Sequence, residues 1–186
     1  FTRTLNGVNT SITYNVTIPQ RTWNHVAVSR ESGTIRLFLN GALVSSSAAW
    51  SSVAVNGTGY TPKIGGLGFS GYNHYFNGYI TGLRVARSAL YTAAFSVPTS
   101  APTNVSNTVL LSNFANGIIS DRSRNLNIAT IGNVSISSDA AKFGSGSLSF
   151  NGSNTILAIG AIADPRLNFG SRDFTIEAWI NTTGTI

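Results

Sequence analysis

No cysteine and no methionine occur among the 186 residues, only six are acidic, and nowhere do apolar residues run long enough to cross a bilayer. The missing cysteines exclude a disulfide framework, thiol catalysis and cysteine-ligated metal centres, and the redox compartment stays undetermined. Many secreted eukaryotic modules of this size carry disulfides, so the absence leans towards a bacterial or viral source. Without a methionine, Phe1 does not read as a translation start, and any targeting signal would lie outside these residues. A transmembrane helix needs roughly 18 consecutive apolar residues, and none are present. Charged residues make up 10%, against about a quarter in ordinary globular chains.

Glycine, serine, threonine and asparagine fill that gap and imply a neutral, hydroxyl-rich surface. The net charge is +6, yet the basic residues are scattered. Only Arg84/Arg87 and Arg122/Arg124 come close together, and neither pair sits in an aromatic-interleaved motif of the kind that binds nucleic acid. The charge therefore reads as a scarcity of acids rather than as a nucleic-acid site.

Alternation of period two dominates. Ile35, Leu37 and Leu39 oppose Arg36, Phe38 and Asn40; Phe174, Ile176, Ala178 and Ile180 oppose Thr175, Glu177, Trp179 and Asn181. Asn-Gly pairs begin at Asn6, Asn40, Asn56, Asn77, Asn116 and Asn151, and this dipeptide readily supplies the positive φ angles of tight hairpin turns. No long 3.6-residue period appears, so helices should be short or absent. The stretch Val97-Pro98-Thr99-Ser100-Ala101-Pro102-Thr103-Asn104 reads as a linker, dividing the chain into 1–97, a linker at 98–104, and 105–186.

Three motifs of the first part, Trp23-Asn24-His25-Val26-Ala27-Val28-Ser29-Arg30, Thr34-Ile35-Arg36-Leu37-Phe38-Leu39-Asn40-Gly41 and Tyr75-Phe76-Asn77-Gly78-Tyr79-Ile80-Thr81-Gly82-Leu83-Arg84-Val85, precede two of the second. These are Phe143-Gly144 through Phe150-Asn151-Gly152, and Asp173-Phe174-Thr175-Ile176-Glu177-Ala178-Trp179-Ile180. Together they resemble the laminin G-like, concanavalin A-like lectin/glucanase jelly roll, with the family's second half (1–97) placed before its first (105–186). The resemblance implies an all-β, two-sheet antiparallel sandwich, circularly permuted or completed by a neighbouring subunit. A hairpin of on the order of 15 residues would ordinarily join the end of the second part to the start of the first. Three arrangements fit this order: a monomeric permutant, a covalent repeat array read in an arbitrary frame, and a polymer in which each half pairs with a neighbour's complementary half.

Some enzymes of the wider fold hydrolyse β-glucans with two carboxylates on one strand, held about 5 Å apart in retaining enzymes. The only glutamates are Glu31, beside a Ser-Gly turn, and Glu177; Asp173 lies four residues before Glu177 and could share its face, but the Glu-x-Asp-x-Glu pattern is absent. The reading is therefore of no enzyme, with Glu177 a structural or outward-facing strand residue and no catalytic residue assigned. His25, on a strand, and His74, in a loop, have neither metal-ligand spacing nor a triad partner. Many laminin G-like modules bind calcium, a cation that needs several oxygen ligands; here Asp121, Asp139, Asp164 and Asp173 are dispersed and Asn151-Gly152-Ser153-Asn154 carries amides, so no metal site or cofactor is assigned and calcium is kept as the alternative.

Ring faces can stack on sugars while amides and imidazoles bond their hydroxyls. On that chemistry the glycan-binding candidates are Tyr72, Asn73 and His74, followed by Trp50 and Tyr60. Sequons at Asn9, Asn15, Asn56, Asn104, Asn133, Asn151 and Asn181 are candidate glycosylation sites. The functional expectation is a structural and adhesive module of a virion fibre or extracellular filament, exposed at the virion or cell exterior, with copies of itself and cell-surface glycans as partners. A discrete carbohydrate-binding domain of a larger secreted or phage protein is the alternative, and a glycoside hydrolase the third reading.

Overall fold

A computed structural model describes residues 2–5, 8–12, 15–50, 54–55, 61–69, 72–114, 117–123, 125–162 and 164–184. Among them every regular element is a strand. The first part contributes β1 (Thr2–Leu5), β2 (Val8–Ser11), β3 (Asn24–Glu31), β4 (Thr34–Leu39), β5 (Ala42–Ser47), β6 (Lys63–Ile64), β7 (Gly66–Phe69), β8 (Tyr72–Tyr75) and β9 (Asn77–Ala86). The second contributes β10 (Thr108–Ser112), β11 (Ile128–Ile131), β12 (Ser135–Ser137), β13 (Ser147–Asn151), β14 (Ile156–Ile159) and β15 (Phe174–Thr182).

An eight-stranded antiparallel sheet runs β12-β13-β9-β15-β3-β4-β5, with β10 sharing an edge of β9 with β13. A three-stranded sheet, β11-β14-β6, packs against it, and β1-β2 and β7-β8 form separate hairpins. The two parts meet inside the large sheet. β15 inserts between β3 and β9, pairing Ile176 with Val28 on one side and with Val85 on the other. The halves thus complete one another within this chain.

The core follows the sequence alternation. Phe174, Ala178 and Ile180 of β15 join Ile80, Leu83, Val85, Leu148, Phe150, Leu157 and Ile159 between the layers. Phe174 is fully buried, which is worth roughly 1.5–3 kcal/mol relative to exposure. The alternate residues Thr175, Glu177 and Trp179 face the other way and are buried too. They are covered by a strand-free strap, residues 87–107, that returns across the outer face of the sheet between β9 and β10. The segment read as a linker lies in this strap and is held down: Pro102 is buried, its carbonyl accepts a bond from Asn113, and the Thr103 carbonyl accepts one from Arg84.

Turn chemistry explains part of the register. Asn40 and Gly41 have φ of 49° and 80° and close the β4-β5 hairpin, as the dipeptide requires. Ser32 and Gly33, with φ of 47° and 80°, close β3-β4 in the same way. Asn77-Gly78 differs from expectation: it opens β9 rather than forming a turn, and its glycine is needed because a Cβ would lie 2.2 Å from the Asn181 carbonyl oxygen of adjacent β15. The pairs at Asn6 and Asn56 fall outside the described residues, as does Asn116.

At Gly41 the turn also touches the strap, since a Cβ there would sit 2.0 Å from the Phe95 carbonyl oxygen. Gly41→Ala therefore meets both a positive φ and a backbone clash. Urea unfolding should register a loss of at least about 1 kcal/mol, whereas alanine at open Gly117 should cost less.

Candidate functional site

Two places carry the candidate chemistry: a buried polar cluster under the strap, and the exposed hairpins and loops. The cluster centres on Glu177. Position 177 falls on the outer face because β15 alternates, and the β15 register sets Ala27 on one side of it and Arg84 on the other. The carboxylate accepts bonds from His25 Nε2 at 2.9 Å, Arg84 Nε at 2.5 Å and Tyr91 Oη at 2.6 Å. It also pairs with Arg84 Nη2. Every donor comes from residues 1–97, and the acceptor from residues 105–186.

Aromatic rings seal this cluster. Tyr91 stacks on Phe95 at 3.7 Å, and both pack edge-on against His25 and Phe38. Trp179 closes the far side of His25 at 5.2 Å and carries the Lys142 ammonium over its ring at 4.1 Å. Burial pushes the Glu177 carboxyl up, but the bonds from His25 and Tyr91 and the charge of Arg84 outweigh it and hold the group below the usual glutamate range. Burial, then the neighbouring carboxylate, push the Tyr91 hydroxyl well above the usual phenol range. These shifts keep Glu177 ionised and Tyr91 a proton donor.

Such an arrangement holds charge in place and offers none of it to a substrate. Glu177 is 1% exposed and has no second carboxylate on its face. Asp173 does not join it, because its Oδ1 accepts the Ser32 N–H at 2.9 Å beyond the end of β15. His25 is the hydrogen-bonding strand residue that the sequence implied. The hub itself was missed by sequence reasoning, since the partners lie 86, 93 and 152 residues from Glu177.

The acids do not form a cation cradle. Asp121 spends its carboxylate on the backbone N–H groups of Leu111, Ser123, Asn125 and Leu126. Asp164 is taken by Arg166, whose hydrogen bond draws its carboxyl down to about 2. In the Asn151 turn the amide oxygen accepts bonds from Ser153, Asn154 and Thr155 instead of facing outward as a free ligand. Among the described residues no three of His, Asp and Glu gather where a metal ion could be held.

The glycan candidates separate. Tyr72, Asn73 and His74 share β8 of the β7-β8 hairpin, so His74 lies on a strand rather than in a loop, and it is exposed. Trp50 offers no ring face to a sugar: it is fully buried in the core, and its carbonyl accepts a bond from buried Arg30 at 2.6 Å. Tyr60 and Asn56 lie outside the described residues, and of Asn9 only the backbone is described. Asn15, Asn104, Asn133 and Asn151 are exposed. Asn181, on β15, is buried, at 8% exposure.

A family model of laminin G type, described as the concanavalin A-like lectin/glucanases superfamily, matches residues 2–94. The chain belongs to this superfamily. The match covers strands β1 to β9, and residues 108–182 add β10 to β15 to the same concanavalin A-like sandwich. No curated protein and no solved structure matches the chain. No helix of the described residues is long and apolar enough to cross a membrane.

Glu177 carries the test of this geometry. Replacing it with Gln leaves Arg84 buried without its counter-charge, which should cost about 3–5 kcal/mol of unfolding free energy. The sign with pH follows from its depressed folded-state value: the contribution is complete above about 4.3, the ordinary glutamate value, and is lost as pH falls from there through the folded value. Urea titrations from pH 7 to pH 2 should show this acid-side loss in the native chain and a smaller one in Glu177→Gln. Equal slopes would remove Glu177 from the account.

Proposed function

We propose that the chain is a non-enzymatic, surface-exposed jelly-roll module that serves structurally and adhesively, as a unit of a virion fibre or extracellular filament with repeated weak contacts to cell-surface glycans. The observation that carries this reading is the fate of Glu177. Glu177, on a central strand with no second carboxylate beside it, is buried, saturated by donors and devoted to joining the two halves. What faces outward is hydroxyl, amide and imidazole, the chemistry of weak sugar contacts rather than of bond cleavage.

The β7-β8 hairpin is the adhesive element in this reading. His74 presents an exposed imidazole, and Tyr72 and Asn73 precede it on the same strand. Single contacts of this kind are weak, and display in many copies multiplies them. Assembly through copies of the chain supplies such display. The pairing of both halves within one chain favours a second reading, a discrete carbohydrate-binding domain of a larger secreted or phage protein, because the unit is complete without a neighbour.

Glycan-array binding of the intact chain, alongside Tyr72→Ala and His74→Ala, tests the adhesive part. Binding should be present and should fall at least about tenfold in either variant. Retained binding in both moves the site elsewhere on the module, and absence of binding on a broad array leaves only the structural role. Release of sugar from β-glucan by the native chain, abolished in Glu177→Gln, would overturn the non-enzymatic reading.

A further inference from the structure

The strap that joins the two halves is anchored at both ends and loose in its middle. On the β9 side the Leu90 N–H bonds the Thr175 hydroxyl at 2.8 Å, Tyr91 bonds Glu177, and the Phe95 N–H bonds the Gly41 carbonyl at 3.0 Å. On the β10 side the Thr103 carbonyl accepts a bond from Arg84 at 3.2 Å and the Val105 N–H bonds the Thr108 hydroxyl at 3.1 Å. Between these anchors, Ser96-Val97-Pro98-Thr99-Ser100-Ala101 neither donates nor accepts a hydrogen bond among the described residues. Ser96, Thr99 and Ser100 are exposed.

The halves do not depend on this span to stay together. β15 pairs with β3 and β9, β13 and β10 pair with β9, and β14 pairs with β6, so the strands of one part are interleaved with those of the other. The Glu177 cluster adds a charge clasp across the same boundary, and both of its strap-side holds, at Tyr91 and at Arg84, lie outside the loose span. An interface of this kind resembles a domain core cut in two, the type that holds separate chains together permanently. What the covalent junction adds is chiefly the entropy of keeping the halves near each other.

The span has the chemistry of a peptidase substrate. An endopeptidase takes its substrate extended, with backbone N–H and C=O groups free to pair with the enzyme, and small polar residues in an exposed loop suit that requirement. Residues before proline are driven towards extended conformations, which applies to Val97 and Ala101. The bonds from Val97 to Pro98 and from Ala101 to Pro102 have no N–H on the leaving nitrogen and resist ordinary peptidases. Three scissile bonds remain, Pro98–Thr99, Thr99–Ser100 and Ser100–Ala101.

We propose that residues 98–101 are a processing site, where an endopeptidase that accepts small side chains splits the chain into two pieces that remain assembled as one sandwich. Water adds across one of the three bonds, leaving a carboxylate on the first piece and an ammonium on the second. Each piece keeps its anchors: the first retains Tyr91 and Phe95 against Glu177 and Gly41, and the second retains Thr103 against Arg84. The proposal does not depend on the adhesive reading.

The test is limited digestion of the intact, folded chain with elastase, whose fragment masses identify the bond cut. The first cut should fall between 98 and 101. At about 1 μM the two pieces should co-elute at the position of the intact chain with unchanged circular dichroism, and separate only in unfolding urea. A recognition sequence for a specific peptidase, inserted between Thr99 and Ser100, makes the same nick independently of elastase and should leave the uncut chain folded. Glu177→Gln in that insertion chain should weaken association of the nicked pieces at least about a hundredfold. A first elastase cut elsewhere overturns the processing site. An insertion chain that does not fold, or nicked pieces that part in native buffer, overturns the claim that the halves hold without their junction, and unchanged association in Glu177→Gln overturns the clasp.

Discussion

One carboxylate joins the two halves of this chain. Glu177 lies on the central strand of the large sheet, and the three side chains that bond it, His25, Arg84 and Tyr91, come from the other half and from the strap that crosses the sheet. A charge removed from water is costly unless its partners are all in place. Misplacing any of the three elements would therefore leave a charge uncompensated, and the cluster specifies their arrangement more sharply than apolar packing alone. The strap follows as a consequence. Thr175 bonds Ser88 and Leu90, Tyr91 bonds Glu177, and Phe95 meets the Gly41 turn, so a segment without a strand of its own is fixed along most of its length.

The same cluster withholds Glu177 from acid catalysis. Acid catalysis on a glycoside needs a carboxyl that can exchange protons with a substrate. Glu177 is sealed beneath Tyr91 and Phe95 and held ionised by Arg84.

Much of the fold was legible because strand alternation is a local signal. The opposed sets Phe174, Ile176, Ala178, Ile180 and Thr175, Glu177, Trp179, Asn181 separate in the structure as they do in the sequence, and Asn40-Gly41 closes the hairpin its dipeptide demands. What the pattern could not show was that the second set is buried as well, since the strap covering it has neither alternation nor strand propensity. That omission accounts for Glu177, whose partners are remote in sequence. Trp50 was misread for a related reason: a large aromatic in a serine-rich stretch looks exposed until its core contacts are seen. Asn77-Gly78 shows the limit of dipeptide rules, because there glycine serves a close approach between strands rather than a turn.

The central claim is that both halves of one chain close on each other, with β15 between β3 and β9. Cysteine is absent from the chain, so an engineered pair gives an unambiguous readout. Val28 and Ile176 face each other across β3 and β15. Oxidation of the Val28→Cys, Ile176→Cys double variant at low protein concentration should give a cross-linked monomer of altered mobility on a non-reducing gel, with both single variants left unlinked. Disulfide-bonded dimers and ladders in place of that monomer would show that the halves pair between chains and would contradict the account.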